Sequence, residues 1–236
     1  MKITGLQKMT LLDFPGKVAC TVFLGGCNFR CPFCHNSQML DGSAEKLMEE
    51  EAFFAFLKKR QGMLDGVCVT GGEPTLQPGL PEFLRKIRDL GYQVKLDTNG
   101  YRPEVLKAVV EQGLVDYVAM DIKNGPEMYP QTAGVALDIE KIRESILYLV
   151  SDPVDYEFRT TVVEPLHSEQ SILNMSRWLL SICGEKVPKK LFLQAFTDRE
   201  TVCFEGLGTP DEQTLNRYKQ LLVHAAKTVD LRGVES

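Results

Sequence analysis

Three cysteines stand within eight positions of the stretch GGCNFRCPFCHN, residues 25–36, at Cys27, Cys31 and Cys34, and His35 follows the last of them. Thiols this dense bind a metal or do redox chemistry, because the thiolate is both a soft ligand and a nucleophile. CPFC at 31–34 has the spacing of a dithiol redox motif, but Cys27 would then be idle and the chain is too long for that fold. CPFCH matches the haem-attachment spacing, a chemistry that belongs outside the cytosol and needs an export signal. A structural zinc site needs a fourth ligand in tetrahedral geometry, for which His35, adjoining Cys34, is poorly placed. Three thiolates suit an iron–sulfur cluster with one iron left without a protein ligand. An open coordination position marks a metal that acts on a bound molecule.

Something must position such a loop. Short β-branched runs at 17–24, 66–70, 92–98, 114–122, 154–163 and 190–196 predict six strands. Between them, EEEAFFAFLKKR, LPEFLRKIRDL, PEVLKAVVEQ, DIEKIRESILYLV and SILNMSRWLLSI repeat apolar residues at i, i+3 and i+4, and a last helix is predicted over 211–227. Strands alternating with helices imply an α/β fold with a parallel sheet and right-handed crossovers. The expectation is a partial (β/α)6 TIM-like barrel of parallel strands, a single domain over 1–236, with a flat doubly wound sheet as the other possibility. The first strand runs into the cysteine loop, the second into TGGEP (70–74), the third into LDTNG (96–100) and the fourth into MDIK (120–123). The fifth carries Arg159 and the sixth Gln194. In parallel α/β folds such polar groups at strand ends share one face.

Composition narrows the partners. A net charge of -5 with no basic block argues against nucleic acid and acidic membranes. No apolar run approaches the roughly 18 residues of a membrane span. LGGC at 24–27 resembles a lipoprotein box, but Asp13 and Pro15 stand where a signal peptide carries a short basic lead. The expected location is the cytoplasm, with thiols reduced rather than paired.

CNFRCPFCHN resembles the signature of the radical S-adenosylmethionine (SAM) superfamily, with Phe33 as its aromatic, and TGGEP resembles that superfamily's GGE motif. More narrowly, LLDFPGKVACTVFLGGCNFRCPFCHN with LDTNG and MDIK resembles glycyl-radical-enzyme activating enzymes. Nearest in kind are the activating proteins of anaerobic ribonucleoside-triphosphate reductases, in their longer form. The resemblance implies a radical-SAM-type fold and a [4Fe–4S] cluster on Cys27, Cys31 and Cys34. It implies reductive cleavage of SAM to methionine and a 5′-deoxyadenosyl radical, which takes a hydrogen from a glycine of the partner. The implied partner is a glycyl radical enzyme, an anaerobic ribonucleotide reductase by the narrower likeness, with a flavodoxin or ferredoxin as electron donor. By similarity the backbone at Phe33, Cys34 and His35 contacts adenine, and Gly71 and Gly72 approach the methionine amino group where only glycine leaves room. Glu73 fixes that loop, although it also reads as a solvated turn residue. Asp97 and Asp121 match positions near SAM and sometimes a cation, Lys123 pairs with the SAM carboxylate or ribose, and Arg159 and Gln194 complete the set.

Other residues read as structural. Cys20 and Cys68 are expected in the core, Cys183 and Cys203 stand alone, and His167 is placed at a helix start. His224 is expected solvated on the last helix. The 38 residues from 35 to 72 hold only Cys68, so the ferredoxin-like insertion of some activases is not expected. Three other readings stand beside the reductase activase: an activase of another glycyl radical enzyme, of the pyruvate formate-lyase type; a radical SAM enzyme acting on a small substrate; and a non-enzymatic zinc or iron–sulfur protein. GGEP and MDIK separate the last, because a structural site needs no binder for an amino acid and a nucleoside.

Overall fold

The computed structural model describes residues 1–40, 45–202 and 204–233, so Cys203 lies outside the described residues. The chain forms two compact units, one of Met1–Asn28 with Gln38–Ala119 and one of Phe29–Ser37 with Met120–Ser236. Among the described residues eight strands follow one another in sequence order, in the α/β arrangement that the alternation implies.

The first unit holds β1 (Ile3–Thr10), β2 (Ala19–Leu24), β3 (Gly66–Gly71) and β4 (Gln93–Thr98), with α1 (Glu50–Lys59), α2 (Leu80–Asp89) and α3 (Pro103–Glu111). β2, β3 and β4 run parallel, in a register that sets Thr21 beside Cys68 and Cys68 beside Lys95. β1 is an addition to the expected set. It runs antiparallel to β2, and its bulged pairing explains why strict alternation is lost in ITGLQKMT. Helix α2 shows how sequence sets packing. Leu80, Phe83, Leu84 and Ile87 are buried at helical spacing, while Glu82, Arg85 and Arg88 line the other side. Phe53 and Leu57 do the same for α1, whose acidic first turn and basic last turn complement its dipole. Cys20 and Cys68 are fully buried, as expected, and burial pushes both thiols up to about 12.

The second unit begins with the end of β5 (Tyr117–Asp121) and continues through α4 (Tyr129–Ala133), α5 (Ile139–Val150), β6 (Asp155–Val162) and α6 (Glu169–Cys183). β7 (Lys190–Ala195), α7 (Glu212–Leu222) and β8 (Thr228–Arg232) complete it, with β6, β7 and β8 parallel. Ser168 and Ser171 form a reciprocal capping box at α6, and Asp211 caps α7 through the Thr214 N–H at 2.7 Å.

Two expectations are corrected here. The helix placed over 211–227 ends at Leu222, and the β-branched TVDLR that follows pairs as β8. His224 therefore lies in an exposed turn past α7 rather than on it. α4 is also new. It is only five residues long and contains a proline, although Pro130 in the first turn and left-handed Gly134 at the end are ordinary helix signals. Among the described residues no helix is long and apolar enough to cross a membrane.

Candidate functional site

In the first unit the chain leaves β2 through Gly25 and Gly26 into Cys27. The Gly26 and Cys27 amides donate to the Met39 and Leu40 carbonyls, so the returning chain holds this stretch open. From the other side the β3 end leans on it. The Gly72 N–H donates to Leu24 O and the Glu73 N–H to Gly26 O, both at 2.8 Å. A Cβ on Gly72 would meet Gly26 O at 2.1 Å, and one on Gly71, whose φ is +124°, would meet the Leu24 backbone at 2.3 Å. The chain's own close approach thus demands glycine at both positions, before any ligand is considered.

Glu73 is 1 % exposed, which removes the solvated-turn reading. Its Oε1 accepts from the Thr75 amide and hydroxyl and from the Thr98 hydroxyl at 2.8 Å. Its Oε2 accepts from the Asn99 amide at 2.7 Å, so one carboxylate ties the β3 end to the β4 end. Burial works to raise its pKa above the usual value, against these donors. Asn99, in the LDTNG stretch but not singled out by the sequence, donates from Nδ2 to Asn28 Oδ1 at 2.8 Å, and the same Nδ2 lies 4.0 Å from Cys27 Sγ. Asp97 forms an ion pair with Lys95, a lysine 1 % exposed that strand periodicity did not mark as polar and buried.

In the second unit the CPFC turn is closed by the Cys34 amide on Cys31 O at 3.1 Å, with Pro32 following the first residue. Phe33 is buried against Val163, Leu166 and Phe196, with Cys31 packed on the same cluster. The aromatic of the motif is thus the anchor that seats the loop. His35 stacks on Phe196 and its Nε2–H donates to Thr197 O at 2.7 Å. α4 braces the loop, since the Arg30 amide donates to Ala133 O, and a Cβ on Gly134 would strike Arg30 O at 2.0 Å.

Asp121 closes β5 and lies between two cations. Lys123 Nζ donates to its Oδ2 and Arg159 Nε to its Oδ1, each at 3.0 Å. Burial acts to raise the Asp121 pKa, but Lys123 and Arg159 outweigh it and hold it at about 2. Burial likewise acts to lower Lys123, while Asp121 and Cys31 hold it above the usual lysine value. Arg159 is no edge residue, because β6 has neighbours on both sides and its side chain has this partner. Gln194 sits on β7 in register with Thr161 and Arg232. His167, just before the α6 cap as expected, is 2 % exposed and does more than start a helix. Its Nδ1 accepts the Val163 N–H at 3.1 Å and its Nε2–H donates to the Lys123 carbonyl at 2.8 Å.

Among the described residues no three His, Cys, Asp or Glu side chains are gathered as a metal cage. The donor chemistry nonetheless fits an iron–sulfur cluster. The loop supplies thiols, and beside Cys27 the buried Asn28 Nδ2 has no acceptor, which a cluster sulfide would provide.

Residues 21–178 match the radical SAM superfamily. A protein of Methanocaldococcus jannaschii provisionally named a glycyl-radical enzyme activating enzyme is 33 % identical over 182 residues, 74 % of each chain. The 7-carboxy-7-deazaguanine synthase of Koribacter versatilis is 34 % identical over 143 residues, 58 % of each chain. Among solved structures, a domain of the pyruvate-formate lyase-activating enzyme of Bacteroides vulgatus has the same fold, with a TM-score of 0.57 and 22 % identity. That match covers 71 % of this chain and 99 % of that one.

Proposed function

The chain belongs to the radical SAM superfamily, and on that premise we propose that it activates a glycyl radical enzyme by taking a hydrogen atom from a glycine of its partner. The observation that carries this is the match to a protein named for that activity, which extends over 74 % of both chains. The finer reading takes an anaerobic ribonucleotide reductase as the partner, on the likeness of LLDFPGKVACTVFLGGCNFRCPFCHN with LDTNG and MDIK. A flavodoxin or ferredoxin supplies the electron, in the cytoplasm.

The superfamily works with a [4Fe–4S] cluster and SAM, which together supply reductive cleavage of the SAM sulfonium to a 5′-deoxyadenosyl radical. In this chain Cys27, Cys31 and Cys34 hold the cluster. Gly71 and Gly72 present backbone to the SAM amino group, and Glu73 holds that backbone still through the Thr98 hydroxyl and Asn99 amide. Lys123 binds the SAM carboxylate or ribose. An ammonium has three N–H donors, and Asp121 engages it through one contact at 3.0 Å, which leaves donors for a ligand. Arg159, fixed by the same carboxylate, adds positive charge, and the family likeness assigns Asp97, Gln194 and the backbone of Phe33, Cys34 and His35 to SAM as well.

The test is an anaerobic mixture of reconstituted protein, SAM, reductant and the candidate reductase. A doublet EPR signal should appear on the partner and collapse to a singlet when its target glycine is α-deuterated. SAM cleavage driven by a small metabolite, with no glycyl radical on any candidate partner, would reject the activase reading. The match to a deazaguanine synthase makes that second outcome concrete.

A further inference from the structure

Asn99 reaches across 72 positions of sequence to the first cysteine of the loop. The orientation of its amide follows from the backbone. The Tyr101 N–H can only donate, and it bonds Asn99 Oδ1 at 3.0 Å. Asn99 Nδ2 is therefore the group turned toward the loop, where it meets Asn28 Oδ1 at 2.8 Å and Cys27 Sγ at 4.0 Å. Asn28 must present its oxygen to that donor, which leaves its own Nδ2 as the orphan, buried beside Cys27. The Asn99 main chain is pinned in turn by buried Glu73, whose Oε2 takes its N–H. One amide NH2, that of Asn99, is thus held within reach of the Cys27 sulfur, and a second, that of the neighbouring Asn28, is buried with no acceptor of its own. Burying an amide donor unpaired is costly. It is tolerated where a bound acceptor completes it.

Resting on the reading that Cys27 is a cluster ligand, we propose that Asn99 and Asn28 are positioning residues that donate N–H···S hydrogen bonds to the Cys27 side of the cluster and raise its reduction potential. Hydrogen bonds to the sulfurs are among the factors that set iron–sulfur potentials, because they stabilise the more negative, reduced state. SAM cleavage uses the reducing end of the cluster range, so the donors limit how negative the potential becomes and ease reduction by a modest donor protein. Glu73 acts through Asn99 by fixing the amide that bears the side chain. The GGE carboxylate is thereby linked to the electronics of the cluster as well as to the shape of the loop.

The experiment is an anaerobic redox titration, followed by EPR, of reconstituted wild type, Asn99→Ala and Asn28→Ala, with iron counted in each. The variants should keep full iron content and titrate at lower potential. A tenfold change in the reduced-to-oxidised ratio corresponds to about 59 mV for a one-electron couple. Asn99→Asp, which sets a carboxylate near the thiolate, should move it further in the same direction. Because Asn99 also supports the Tyr101 turn and its variants can lose stability for that reason alone, the wild type carries an independent measurement. Protein labelled with 15N in asparagine side chains should show amide nitrogen coupling to the reduced cluster by pulsed EPR, diminished in Asn28→Ala. Full iron with an unchanged potential, or no coupling in the labelled wild type, overturns the proposal and leaves the cluster assignment intact. Failure of the wild type to take up any cluster overturns the cluster reading itself.

Discussion

At the scale of single residues, the loop is governed by what cannot be added to it. Gly72→Ala would drive a methyl group to 2.1 Å from Gly26 O, so the backbone between β2 and Cys27 must shift. The expected cost is about 1–3 kcal/mol in thermal unfolding, with iron uptake reduced as well. A different outcome is expected for the cysteines. Cys27→Ala, Cys31→Ala and Cys34→Ala should each lose the broad absorption near 400 nm and all SAM cleavage while far-UV dichroism is kept, since irregular segments carry all three. Cys183→Ala should change neither, and retention of iron and turnover in any of the first three would show that the ligand set is wrong. Glu73→Gln keeps the shape but turns an NH2 toward groups that donate. With donors at Thr75, Thr98 and Asn99 competing for one oxygen, urea unfolding of the apoprotein should reveal a loss of about 1–3 kcal/mol.

At the scale of elements, the end of β5 is read through its neighbours. Asp121 and Lys123 are two residues apart, and Arg159 from β6 grips the same carboxylate. Lys123→Met should weaken SAM binding by roughly 10- to 150-fold, the worth of one charge-assisted hydrogen bond, with iron content unchanged. Calorimetric titration that finds wild-type affinity in this variant would remove Lys123 from the SAM pocket. His167 joins the loops after β5 and β6 from within, and it does so as a neutral ring. Burial, reinforced by the Lys123 charge, holds its pKa below the usual 6.5 against its backbone hydrogen bonds. Below pH 6.5 the unfolded chain takes up a proton that the folded ring refuses. The contribution is complete above that value and is lost as the pH falls, by up to about 1.4 kcal/mol per pH unit. Unfolding midpoints of the apoprotein at pH 7.5 and 5.5 should therefore drop more in wild type than in His167→Gln. Equal drops would mean that the ring is protonated in the folded state.

At the scale of the whole molecule, selectivity must come from what reaches a radical that is itself indiscriminate. No connection among the described residues carries an added domain to serve as a lid, and on the proposed activase reading exclusion of water falls to the partner. SAM cleavage should be slow alone and rise several-fold with a glycine-containing segment of the partner. Stimulation by a small metabolite in its place would count against a protein substrate. Much of this was legible in the chain. Cysteine spacing and the 3.6- and 2-residue periods are local properties, and from them come the cysteine loop, six of the helices and strands β2 to β7. Polar groups at strand ends were legible for the same reason, since each is read against its own apolar run. What stayed hidden was non-local. β1 and β8 are terminal strands whose pairing depends on a neighbour already in place. The burial of Lys95 is accounted for only by its ion pair with Asp97. Gly71 and Gly72 looked like ligand space until the Leu24 and Gly26 backbone filled it. The reach of Asn99 to Cys27 joins residues far apart in sequence, and no pattern along a chain encodes which distant groups will touch. Residue types and spacing determined which chemistry is available, and only the tertiary contacts decided which side chains hold it in place.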